Sequence, residues 1–222
     1  MDPIELSDIE QALTQQGWAL AMASQFDVSF LEDFILSVAM RLGLPRRSRN
    51  GGSVVDHLTP TEPTQARPRS LSTQYGTNAF PWHVDGAHWL IPPRYLVFGC
   101  VSASSTTAIT KICDRAQILA LNERGAKTHP FLVRNGPRSF YATILSDMRP
   151  FIRHDPGCMH ALDANGEELQ RAIEENEPAQ AMQITWMPGT VAVIDNWRCL
   201  HKRMNTLLDR ERHLLRVTVM ER

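Results

Sequence analysis

Apolar residues recur along this chain with two different periods. Over residues 4–16, Ile4, Ile9, Ala12 and Leu13 fall near one face of a 3.6-residue repeat and Gly17 follows as a stop, which predicts an amphipathic helix. Trp18 to Met22 reads as a short strand, and residues 29–42 predict a second helix whose stripe is Phe30, Leu31, Phe34, Val38 and Leu42, ended by Gly43 and Pro45. From residue 74 onward short strands dominate, at 79–85, 94–102, 105–112, 129–135, 138–144, 149–154, 180–187, 190–195, 198–204 and 212–220. Two short helices interrupt them, one capped by Asp114 over Arg115 to Glu123 and one over Gly166 to Glu175. Met187-Pro188-Gly189-Thr190 marks a turn between two of the strands. Many short strands separated by turns predict a mainly β protein with flanking helices, a sandwich or jelly roll.

Between the second helix and the strands the character changes. Arg46, Arg47, Arg49, Arg67 and Arg69 sit among Gly, Pro, Ser and Thr, which predicts a long loop over residues 46–73, either solvated or folded over a site as a lid. The expected organisation is one domain, with a helical flank over 1–45, this loop, and a β core over 74–222. The 222 residues are 43% hydrophobic, enough for one buried core. A formal net charge of -1 gives no reason to expect nucleic acid as a partner, and no run of about 18 apolar residues predicts a membrane span. The start of the chain, Met1-Asp2-Pro3-Ile4-Glu5, lacks the basic and apolar regions of a secretory leader. Cys100, Cys113, Cys158 and Cys199 lie far apart with no Cys-x-x-Cys pair, as in a reduced cytoplasmic protein.

The chemistry concentrates in Phe80-Pro81-Trp82-His83-Val84-Asp85-Gly86. Residues i and i+2 of a strand share a face, so His83 and Asp85 can hold one metal ion from one side. The best third ligand is His201, far along the chain in Asp195-Asn196-Trp197-Arg198-Cys199-Leu200-His201. Two imidazoles and a carboxylate on one face of an octahedral ion leave three positions open, which suits non-haem Fe(II) taking up a cosubstrate and then O2. The last strand adds a second feature. Alternation puts Arg212, Leu214, Arg216 and Thr218 on one face. Two arginines there are either solvated at an edge or holding a carboxylate ligand through their forked N–H groups.

His83-x-Asp85, Asp195-Asn196-x4-His201, and the arginines 11 and 15 residues beyond His201 together resemble the Fe(II)/2-oxoglutarate-dependent dioxygenases of the taurine dioxygenase and clavaminate synthase-like family. Pro92-Pro93 also follows the His-x-Asp pair as in that family, and the likeness covers about residues 74–221. It implies a double-stranded β-helix (jelly-roll, cupin-like) core. It implies Fe(II) on His83, Asp85 and His201, and 2-oxoglutarate reaching Arg212 with help from Thr110. Arg216 would grip an anionic group of a small-molecule substrate, or else support the cosubstrate or a buried carboxylate, while Trp82, His88, Trp89 and Trp197 would line the pocket. The implied reaction is oxidation, chiefly hydroxylation, of a carboxylated or amino acid-like metabolite with release of succinate and CO2. Desaturation, cyclisation and epimerisation on the same scaffold, and a non-catalytic metal- or ligand-binding barrel, are the alternatives. Homo-oligomerisation stays open.

Overall fold

The structure, a computed structural model, describes residues 6–68, 70–104, 109–120 and 122–222. The chain opens with α1 (Leu6–Gln16), β1 (Trp18–Met22) and α2 (Val28–Leu42), and continues through β2 (Leu44–Arg46), β3 (Val55–Leu58) and α3 (Leu71–Tyr75). Next come β4 (Tyr95–Ser102), β5 (Thr110–Asp114), α4 (Arg115–Leu119), α5 (Glu123–Thr128), β6 (Phe131–Val133), β7 (Phe140–Ala142) and β8 (Met159–Ala161). The rest is α6 (Ala164–Glu175), β9 (Met182–Ile184), β10 (Thr190–Asp195), β11 (Cys199–Arg203) and β12 (His213–Met220).

Local chemistry sets several of these boundaries. Asp27 caps α2 by accepting from the Phe30 N–H at 3.0 Å, and Asp114 and Asp163 cap α4 and α6 in the same way. Gly189, at φ 87°, makes the left-handed step in the turn before β10, which a side chain would oppose. The expected helix over 115–123 is instead two short helices, α4 and α5, because Asn122 caps a fresh helix by accepting from the Gly125 N–H.

The large sheet runs β1-β10-β4-β12-β2, with β3 also paired to β12, and all its pairings are antiparallel. One face packs Val97, Val191, Val193, Leu215, Val217 and Val219 against Leu31 and Ile35 of α2 and Ile9 and Leu13 of α1. The other face packs Leu96, Phe98, Ala192, Ile194 and Leu214 against Ile112, Ile184 and Cys199 of the smaller β11-β5-β9 sheet. A third sheet, β7-β6-β8, with α5 and α6, encloses a separate core around Trp82, Phe131, Ile144 and Leu200. The result is mainly β sheet with helices, as expected.

Two expectations need correction, and a third lies partly outside the described residues. The 46–73 stretch is not one loop: Val55–Leu58 forms a strand on β12, and Leu71–Tyr75 a helix. Residues 79–85 and 149–154 join no regular ladder; they touch the fold through isolated bridges at His83 and Arg149 and single bonds such as Val84 N–H to His154 O at 2.8 Å. Of the strand expected at 105–112, Thr110 onward is seen in β5, and 105–108 lie outside the described residues. No helix among the described residues is long and apolar enough to cross a membrane, and all four cysteines are buried free thiols.

Candidate metal centre and cosubstrate pocket

β11 and the extended segment before Gly86 meet at one isolated antiparallel bridge, His83 to His201. Each backbone N–H donates to the other residue's carbonyl at 3.0 Å, so the two imidazoles rise side by side with ring centroids 4.3 Å apart. The Pro81 carbonyl lies 2.9 Å from His83 Nδ1 and can only accept, which puts the ring proton on Nδ1 and leaves Nε2 with a free lone pair. Asp85 presents Oδ1 at 3.7 Å from His83 Nε2 and 3.8 Å from His201 Nε2. One candidate ligand atom from each residue lies within 4.8 Å of the others, and this is the one such group of three found among the described residues.

The electrostatics suit a cation. Burial alone would push the Asp85 carboxyl up, but Arg216, His201 and His83 outweigh it and hold it at about 2. Burial, with His83 beside it, pushes His201 down to about 3, so its imidazole is neutral and able to ligate. Two imidazole nitrogens and one ionised carboxylate oxygen, all converging, fit a first-row divalent metal with an open side.

The backbone around this face is held by groups from distant segments. Asn196, fully buried, accepts from Asp85 N–H at 2.9 Å and donates through Nδ2 to the carbonyls of Asp85 and Pro93. It serves Asp85 as a neighbouring strand would. Gly86, at φ 68°, lets the chain turn away at once; a Cβ there would come within 2.6 Å of Pro93 Cδ. Arg153 donates to the carbonyls of Ala87, Trp89 and Leu90 and so fixes the following turn. Asn196 belongs to a motif legible in the sequence, but nothing local marks Arg153 as its partner across the fold.

Thr110 and Arg212 are both buried. In the β11–β5 register His201 faces Ile112 and Arg203 faces Thr110. Thr110 therefore shares His201's inward face one strand repeat away, about 7 Å. The Trp186 indole N–H donates to Thr110 Oγ1 at 2.9 Å. Thr110's own hydroxyl proton is then left to donate elsewhere. Arg212 lies just before β12, within electrostatic reach of Asp209 and Cys100, and burial lowers its pKa.

Other expected site residues lie elsewhere or do different work. Trp82 is fully buried in the third core, its indole donating to Asn176 O at 2.7 Å; alternation points it away from the face of His83 and Asp85. Trp197 is buried too, donating to Pro92 O and packed on Phe151 at 5.5 Å between ring centroids. Neither is placed to line a substrate pocket, and tight packing is the reason in both cases. His88 is half-buried within electrostatic reach of Asp155 and Asp85. Arg216 is the larger correction. Its Nη1 donates to Asp85 Oδ2 at 2.6 Å and its Nη2 to Asp56 Oδ2 at 2.8 Å, so its fork is filled by the protein's own carboxylates. The reading in which Arg216 supports a buried carboxylate is the one seen. Asp56 was missed because Val-Asp-His-Leu is too short to stand out in a stretch rich in Gly, Pro and Arg.

The family model for "Taurine catabolism dioxygenase TauD, TfdA family" matches residues 121–218 of this chain. The fold is similar to asparagine oxygenase AsnO, with a TM-score of 0.76 at 18% identity over 97% of this chain and 78% of that one. It is also similar to a taurine dioxygenase from Burkholderia xenovorans, at 0.70 and 16% over 100% and 83%, and to the non-haem iron oxygenase OrfP in complex with Fe and alpha-ketoglutaric acid, at 0.68 and 18% over 98% and 79%. No curated protein matches the sequence significantly. In fold, this chain is similar to these oxygenases. The resemblance read from the motifs therefore holds on two grounds, sequence over the carboxy-terminal part and fold over nearly the whole chain.

Proposed function

We propose that this chain is an Fe(II)- and 2-oxoglutarate-dependent dioxygenase that hydroxylates a C–H bond of a small amino acid-like metabolite, with release of succinate and CO2. The observation that carries the reading is the placement of Asp85 Oδ1 at 3.7 and 3.8 Å from the two histidine Nε2 atoms. His83, Asp85 and His201 are the metal ligands in this reading, and the large sheet facing β11-β5-β9 is read as the two halves of a jelly roll. Bound Fe(II) with 2-oxoglutarate and O2 supplies the oxidising power.

The protein's residues do the rest. Arg212 holds the distal carboxylate of 2-oxoglutarate, and Thr110, its Oγ1 fixed by the Trp186 N–H, donates its proton to the same carboxylate. Thr110 and His201 stand one strand repeat apart on one face, so a cosubstrate carboxylate held by Thr110 would lie on the same side of the sheet as the metal ligands. His88 borders the open side where substrate enters. AsnO has been crystallised with 3-hydroxyasparagine and succinate, and OrfP with succinate and (3S)-hydroxy-L-Arg, which supports a free amino acid or a close analogue as the substrate class here. The protein is expected to act in the cytoplasm. The test is to incubate the iron-loaded protein with 2-oxoglutarate, O2 and single L-amino acids. Amino acid-dependent succinate and a product 16 mass units heavier are expected; succinate formation indifferent to every amino acid and analogue tried would contradict the substrate class.

A further inference from the structure

Asp85 divides its two oxygens. Oδ1 faces the histidine pair, while Oδ2 accepts from Arg216 Nη1 at 2.6 Å. A guanidinium held only there could pivot about that single contact. It does not, because Nη2 is bonded at 2.8 Å to Asp56 Oδ2, and Asp56 Oδ1 in turn accepts from Ser48 Oγ at 2.9 Å. The Asp56 and Arg216 side chains are only 11% and 15% exposed, so little water competes for these contacts. Asp56 is also fixed by its backbone: β3 pairs with β12 in a register that sets Asp56 directly opposite Arg216. The relay Ser48, Asp56, Arg216, Asp85 thus runs from a segment before the β core to the metal-facing carboxylate without a gap.

We propose that Asp56 is a positioning residue of the metal centre. By pinning the far side of the Arg216 fork it holds Asp85 with one oxygen forward, as a one-oxygen ligand, and it takes the place on Arg216 that a substrate anion would need. The inference rests on the metal-centre reading above. Groups that orient a metal ligand typically change metal affinity by about 10- to 100-fold when removed.

The test uses Co(II), whose visible spectrum reports ligand geometry without turnover, on the full chain. Asp56→Ala and the isosteric Asp56→Asn should each bind Co(II) about 10- to 100-fold more weakly and with an altered spectrum, while circular dichroism stays that of the wild type. Formate should fill the gap in Asp56→Ala and restore the wild-type spectrum. Asp56→Glu should recover part of the affinity. If both loss-of-charge variants bind Co(II) with wild-type affinity and spectrum while His83→Ala does not, this inference falls and the metal-centre reading survives. If the wild type binds no Co(II), or binds it equally well after His83→Ala, the metal-centre reading falls and takes this inference with it.

Discussion

β12 carries Leu215, Val217 and Val219 on one face and Leu214, Arg216 and Thr218 on the other. The first three are fully buried against the helices and hold the sheet to α2 by apolar contact alone. The second face looks into the sandwich and includes a desolvated guanidinium that needs two carboxylates to sit there. One face is non-directional and tolerant of shape-conserving change. The other depends on named partners, and removing Arg216 would leave two buried carboxylates facing each other. The same strand thus separates stability from chemistry by the parity of its residues.

The widest break in that comparison is at the ligands themselves. His83→Ala or Asp85→Ala should abolish metal-dependent turnover, with the melting temperature of the metal-free protein close to the wild type's in His83→Ala but lowered in Asp85→Ala, where Arg216 loses one of its two carboxylates; assay of succinate formation alongside calorimetry checks both. Arg216→Ala should cost about 3–5 kcal/mol of stability, because Asp85 and Asp56 would face each other unpaired, and should impair metal binding as well. Leu215→Ala, its neighbour on the opposite face, should cost a comparable 2–5 kcal/mol in denaturant titration yet leave the metal affinity of the folded protein unchanged. Equal loss of metal binding in the two variants would erase the distinction between the faces. Arg212→Ala should raise the apparent KM for 2-oxoglutarate by about 10- to 150-fold, the worth of one charge-assisted contact, with little effect on metal affinity.

Acid should act on the interior in a defined direction. His154 is fully buried with neither ring nitrogen hydrogen-bonded among the described residues, and burial, aided by His83, pushes it down to about 3 from the usual 6.5. Between those values the unfolded chain binds a proton that the folded one refuses, so stability is present above about pH 6.5 and is lost as pH falls toward 3. The melting temperature of the metal-free protein should follow that curve, and His154→Leu should reduce its slope in part, His201 contributing the remainder in the same direction. The smallest effect is expected at Trp197→Phe, which loses one hydrogen bond to Pro92 O, about 1 kcal/mol, and should not change substrate choice.

Much of this was legible in the residues because period and motif agreed. The helices Leu6–Gln16 and Val28–Leu42, the turn at Gly189 and the strands of the carboxy-terminal half follow from apolar spacing, and His83, Asp85 and His201 converge on one point. The misplaced residues have different causes. Trp82 directly precedes His83, so alternation along this segment points it the other way, into the core. Arg216 does share a face with the site, but its partner Asp56 lies 160 residues earlier in the chain, a pairing that no local pattern carries. The family model likewise begins at residue 121, after both Asp56 and the His-x-Asp pair, so only the fold brings those residues to His201.

The central claim is that His83, Asp85 and His201 hold an iron that accepts 2-oxoglutarate. The most direct measurement is the visible absorption of the protein under anaerobic conditions, first with Fe(II) and then with 2-oxoglutarate added. The account predicts a charge-transfer band that appears only with 2-oxoglutarate, weakens in Arg212→Ala at limiting cosubstrate and is absent in His83→Ala. A folded, iron-bound protein that shows no band at saturating 2-oxoglutarate, or a band that persists in His83→Ala, would contradict it.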